Sequence, residues 1–292
     1  MMEIRIKQAQ DFLINAHLPG KGWAYHQHGT QAYPEPTCCG LLALQKTSFP
    51  VEPVLGWLEG LVNTDGQLLL PQDDMPNWAS AMLVITLNHL NQLPETRKAS
   101  IEWLLEWKSK QVEPDPDLVK VNSNLLGWPW ISDTFSWVQP TSWAVLALKV
   151  AGLGTHPRAK EAETLILDRT CIEGGWNFGS PVILNQIIEP ATVDTALALF
   201  ALQDVSTASR EIEAGLDFIE QSAPRFPSSL SLALGVLCLN IFDRPTNKLV
   251  EILGTRQAED GSWGQSPWWT ALSVLALQAA IGETNVFKIQ KN

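Results

Sequence analysis

The sequence predicts an all-α protein, an (α/α)6 toroid of six inner and six outer helices, and three observations carry that prediction. Helix-length segments rich in Ala and Leu alternate along the chain with segments that carry charge on a helical period. The Ala/Leu-rich segments are nearly free of Asp, Glu, Lys and Arg, and a helix that is apolar all round must be buried on every side. No stretch alternates apolar and polar residues with the period of two that a half-buried strand requires. In such a fold the inner helices run one way around a central cavity and the outer helices run back.

The first charged segment is 3–18. The first inner helix starts at Pro36-Thr37 and reads on through CCGLLALQ. Charged segment 50–62 follows, then a second inner segment from Asn77 (NWASAMLVITL). Segment 94–110 sets Glu95, Lys98, Glu102 and Glu106 against Ile101, Leu104 and Leu105 at spacings of three and four, which is an amphipathic helix with one wet face. Pro140-Thr141 opens the third inner helix (SWAVLALK), and 157–170 is its outer partner. Pro190-Ala191-Thr192 opens the fourth (VDTALALFALQ), followed by 206–221. The last two inner segments start at Ser228 and Pro267, with 245–257 between them. Proline suits a first helical turn, where its missing N–H has no partner to lose. The apolar stretches, about 10–14 residues long, fall short of the roughly 20 needed to span a bilayer. Segment 111–136, with Trp128, Trp130 and Phe135, reads as a packed loop at the cavity mouth, so residues 1–292 read as one toroid domain.

Composition narrows the function. A net charge of −11 argues against nucleic acid, whose phosphates need a basic face, and disfavours electrostatic docking on anionic lipid. The N-terminus (MMEIRIKQAQDF) lacks the apolar core of a secretory signal. The expected compartment is therefore the cytoplasm, with all 4 cysteines reduced. There are 13 Trp against 2 Tyr, an unusual preference for the largest aromatic. Indole faces stabilise cations in dry surroundings, and Trp137, Trp143, Trp268 and Trp269 lie at inner-helix starts, where they are expected to ring the mouth. Asp73-Asp74 sits at the same mouth before the second inner helix, and Asp133 before the third.

The loops from outer to inner helices repeat a Gly-Trp pair: Gly22-Trp23, Gly127-Trp128, Gly175-Trp176 and Gly261-Ser262-Trp263. The last lies in Gln257-Ala258-Glu259-Asp260-Gly261-Ser262-Trp263, which resembles the Gln-Trp repeat of squalene–hopene cyclases and the wider terpenoid cyclase/prenyltransferase toroids. In that family the Gln caps a helix end and stacks on the Trp. The resemblance offers two chemistries. Zinc-dependent prenyl transfer needs Asp, Cys and His ligands, but Phe135 and Trp269 stand where the Cys and His belong, so no metal is expected, nor any other cofactor. Cyclisation begun by protonation needs an acid at the start of an inner helix, and the matching segment is Glu189 to Ala196. Asp194 is its carboxylate, with Thr192 and Glu189 the nearest groups to orient it. The segment lacks the family's full set of acids. Asp194 is also the sole carboxylate on an inner helix as these are drawn from sequence, and burial would raise its pKa and leave it protonated, as a general acid requires. The reading is a toroid that takes a hydrophobic isoprenoid and cyclises it. The alternatives are a non-catalytic toroid binding a lipid, a protein partner or transiently a membrane, and a carbohydrate-active (α/α)6 enzyme.

Overall fold

The structure, a computed structural model, describes residues 2–71, 77–111, 113 and 120–290. Among these, alternate helices form an inner ring: α2 (Pro34–Leu44), α4 (Ala79–Leu90), α6 (Val138–Val150), α8 (Thr192–Leu202), α10 (Ser229–Ile241) and α12 (Pro267–Ala280). Each packs on the next, and α12 packs back on α2 to close the circle. The outer helices are α1 (Met2–Ala16), α3 (Glu52–Glu59), α5 (Pro94–Glu106), α7 (Pro157–Asp168), α9 (Ser209–Arg225) and α11 (Asn247–Thr255). From α5 onward each outer helix packs mainly on the inner helix before it, and α1 packs on α12. The toroid is thus sealed by its first helix lying on its last.

The inner helices are buried because few of their side chains need water. Every residue of α2 is buried, as are all but two of α10. Their boundaries differ from the sequence reading at one consequential place. Helix α2 starts at Pro34 rather than Pro36, so Glu35 lies in its first turn and is buried. Asp194 is therefore not the sole carboxylate on an inner helix. A second difference is a two-stranded hairpin, β1 (Val182–Ile183) with β2 (Gln186–Ile187), turned by Leu184 and Asn185 at positive φ. The run Val-Ile-Leu-Asn-Gln-Ile-Ile has no polar alternation because it is a protruding ribbon, not a half-buried strand.

At the C-terminal end of the inner helices the ring is plugged. The Phe287 side chain, fully buried, stacks on Phe200 at 5.3 Å and meets Trp143 at 5.5 Å. Gln203 at the end of α8 holds the plug, donating to the Phe287 carbonyl and accepting from the Ile289 N–H, each at 2.9 Å.

At the other end the Gly-Trp loops make one junction four times. Trp23, Trp128, Trp176 and Trp263 are fully buried. Each indole N–H donates to a carbonyl of the preceding outer helix: Leu13, Leu104, Ile166 and Leu253, at 2.7–3.0 Å. Each backbone N–H donates to a threonine on the following inner helix: Thr37, Thr141, Thr195 and Thr270, at 2.9–3.1 Å. The glycine is required by that hydroxyl, since a Cβ on Gly22 or Gly127 would lie 2.4 or 2.3 Å from the threonine oxygen. Ring closure uses the same device. Gly261, at φ +87°, lies against the backbone of Gln8 and Ala9 in α1, and Gln257 donates to the carbonyls of Arg5 and Gly261.

Candidate functional site

Two of the four junctions carry extra chain. The indole bonds a carbonyl 10 residues back at Trp23, Trp176 and Trp263, but 24 back at Trp128. From Trp263 to its threonine is 7 residues, whereas from Trp176 it is 19. The first enlargement is the loop before Trp128. The second contains the β1–β2 hairpin. They belong to neighbouring inner helices, α6 and α8, and so face one another.

Between them lies a pocket of about 360 Å³, walled mainly by Leu125, Leu126, Phe135, Trp137, Phe178 and Ile183. Its volume falls in the range of small-molecule sites, which are typically apolar with a few placed polar groups. Phe135 and Trp137 have ring centroids 4.7 Å apart, and Trp137 and Phe178 5.8 Å. Phe135 and Phe178 remain 49% and 39% exposed, an open aromatic rim. Lys110 and Arg169 supply the charged edge. The Arg169 guanidinium is already paired with Asp168 and donates to the Asn122 carbonyl, and burial holds its pKa below the usual value.

Arg158 on α7 fixes the longer loop. It donates to the carbonyls of Trp107, Leu126 and Gly127 and lies 4.3 Å over the Trp128 ring. Glu161 accepts from the Leu126 N–H and Asp168 from the Asn122 N–H. Nothing in the local sequence marks Arg158 as the anchor, because its partners lie 31–51 residues back.

Of the residues singled out by sequence, Trp137 lines this pocket. Asp194 sits in the first turn of α8, 6% exposed, and is not among the residues that line the pocket. Burial raises its pKa, opposed by a hydrogen bond that its Oδ1 accepts from Gln139 Nε2 at 3.1 Å. The orienting group is thus Gln139, two residues beyond Trp137, and not Thr192 or Glu189. The Thr192 hydroxyl pairs with Ser222 on α9 at 2.9 Å, and Glu189 is exposed. Cys171, buried close enough to feel the charge of both acids, is pushed up to about 11, chiefly by desolvation.

The remaining candidates are dispersed. Trp143, 4% exposed, sits more than a turn inside α6 and packs on Phe200 and Phe287, so it fills the axis rather than ringing the mouth. Asp133 is exposed at φ +62° and lies outside the pocket wall. Asp73 and Asp74 lie outside the described residues. Trp269 packs on Gly264. Trp268 turns toward Tyr25, with ring centroids 5.6 Å apart, and belongs to a group around Glu35 that the sequence reading did not contain.

No family model and no curated protein matches the chain. Among solved structures it is similar to an alpha-amylase from Clostridium perfringens, with a TM-score of 0.67 and 10% identity over 94% of this chain and 97% of that one. It is similar as well to a protein from Actinoplanes, with a TM-score of 0.63 and 14% identity over 96% of this chain and 100% of that one. A type II terpene cyclase from Scytonema superposes with a TM-score of 0.47 and 14% identity, over 96% of this chain and 81% of that one. At these identities the likeness is one of fold, and the fold is the α/α toroid. Among the described residues no helix is long and apolar enough to cross a membrane.

Proposed function

We propose that this toroid binds a hydrophobic isoprenoid in the aromatic pocket between its two enlarged loops, and that Asp194 is the acid that acts on it. The observation that carries the reading is the pocket itself. About 360 Å³ of largely apolar space is bounded by Phe135, Trp137 and Phe178, enough for a chain shorter than a triterpene, and indole and phenyl faces stabilise the cations of cyclisation. Asp194, whose pKa burial raises, gives its proton to a terminal alkene or epoxide. The resulting carbocation closes rings against the aromatic faces, and loss of a proton ends the sequence, so the net change is an isomerisation. No cofactor enters, and a cytoplasmic setting would keep the four free thiols reduced.

Farnesol and geranylgeraniol are suitable probes, with binding followed by isothermal titration and products by mass spectrometry. Trp137→Ala should weaken binding about tenfold or more, by removing an aromatic wall. Asp194→Asn should bind normally and lose roughly 10²–10⁴-fold in turnover. A folded Asp194→Asn protein with full turnover would remove the acid assignment. A second reading, a binding toroid without chemistry, is favoured by the absence of Asp194 from the pocket lining and by its bond to Gln139. Tight isoprenoid binding with no product in the native protein would select it.

A further inference from the structure

The pocket between the α6 and α8 loops is apolar along its walls but it is not neutral. Among the described residues, the charged side chains that line it are Lys110 and Arg169, with no Asp or Glu beside them. That sign runs against the chain as a whole, in which Asp and Glu outnumber Lys and Arg by 31 to 20. One cation comes from the segment after α5 and the other from the residue that follows α7. Two separate parts of the ring thus bring positive charge to one cavity. Ser123 and Ser180 add hydroxyls to the same lining.

Arg169 is held in place without being used up. It is buried, pairs with Asp168 and donates to the Asn122 carbonyl. A guanidinium has more N–H donors than those two contacts consume. Lys110 is exposed, so its ammonium reaches the pocket without a large desolvation cost. An apolar site fixes its ligand through its few placed polar groups, and here the charged ones are cationic. The head that complements them is an anion.

The count of charges narrows the anion. Lys110 and Arg169 are both positive, and Asp168 takes back one of those charges. What remains is matched by a single negative charge. A diphosphate would bring more negative charge than the lining balances, and unpaired charge against an apolar wall is costly. We infer that the isoprenoid taken by this pocket carries a carboxylate at one end, bound by Lys110 and Arg169, with its chain laid against Phe135, Trp137 and Phe178. The inference rests on the reading that the pocket holds an isoprenoid, and adds to it the charge of the ligand and the direction in which it lies.

The test is isothermal titration of the full chain with farnesoate, farnesol, farnesylamine, farnesyl diphosphate and dodecanoate at low ionic strength. Farnesoate should bind about five- to tenfold more tightly than farnesol, the scale of partly exposed ion pairs, and the difference should shrink as salt approaches 1 M. Farnesyl diphosphate should bind no more tightly than farnesoate, and dodecanoate more weakly. Lys110→Gln should remove severalfold from farnesoate and nothing from farnesol. Lys110→Glu should reverse the preference, so that farnesylamine outbinds farnesoate. Equal binding of farnesol and farnesoate would overturn the carboxylate and leave the isoprenoid reading standing. Dodecanoate binding as tightly as farnesoate would keep the carboxylate and overturn the isoprenoid chain. A diphosphate more than about tenfold tighter than farnesoate, or a farnesoate preference unchanged in Lys110→Glu, would overturn the assignment of the head. Binding of none of these probes would remove the pocket reading and this inference together.

Discussion

The junctions at Trp23 and at Trp128 are the same contact built with different lengths of chain. Both indoles are fully buried, both cap an outer-helix carbonyl, and both backbones meet a threonine. The Trp128 junction nevertheless accommodates 14 more residues between the capped carbonyl and the indole. Lengthening a loop costs little in closure entropy once its ends are fixed. The staple holds the ends, and the extra chain is free to become a pocket wall. In this toroid the junctions share their staple, and the pocket arises from how they differ.

The comparison breaks first at the indoles. Trp176→Ala and Trp128→Ala should each cost about 4 kcal/mol, the scale of a buried aromatic deletion, read from denaturant midpoints at constant m-value. A markedly smaller loss for Trp128 would mean that its long loop, rather than the staple, carries the junction. Arg158 anchors only the enlarged loop through three carbonyls. Its replacement by Ala should cost about 2–3 kcal/mol and also reduce apolar-probe binding, measured as 8-anilinonaphthalene-sulfonate fluorescence. Trp176→Ala, by contrast, should lower both only in step with the folded fraction. Thr37→Val and Thr195→Val should each cost about 1–2 kcal/mol, by stranding a buried tryptophan N–H. Equal values for the two would show that the staple is indifferent to loop length.

The smallest effect tests the acid beside the tight first junction. Folding raises the pKa of Glu35, so the folded state holds its proton to higher pH than the unfolded chain does. Native stability therefore falls as pH rises from about 4, the ordinary carboxylate value, and flattens above the folded pKa. Glu35→Gln lacks this loss. Its stability relative to the native chain should improve as pH rises above about 4 and show no such gain below it, by denaturation at each pH. Asp194→Asn should move in the same direction, since burial raises that pKa also.

The inner helices were legible because burial forbids charge, and the charge-free segments from Asn77, Ser228 and Pro267 announce themselves. The Gly-Trp pairs were legible as loops, and Thr37 and Thr141 as helix starts. That the threonine exists to receive the tryptophan N–H was not, because the two are 13 or 14 residues apart in the first and third inner-helix junctions. Glu35 was missed because two prolines, Pro34 and Pro36, offer the same start signal and the helix takes the earlier one. Gln139 was missed as the partner of Asp194 because a contact across 55 residues leaves no local pattern. The pocket was hidden for a similar reason. It arises where two loops meet, and each alone reads only as polar chain with scattered aromatics.

The seal of α1 on α12 sets the order in which the molecule can assemble. Phe12 and Leu13 of α1 belong to the core, yet α1 packs mainly on a helix made from the other end of the chain. The Arg5–Gln257 contact spans 252 residues. During synthesis the first helix must therefore wait, its apolar stripe uncovered, until nearly the whole ring exists, while each later outer helix has an inner neighbour already made. Closure is the late, slow event that long-range contacts impose. A circular permutant that moves α1 behind α12 would turn the α1–α12 contact into a local one. In such a chain the α12–α2 contact would remain as the main one to close the ring at long range.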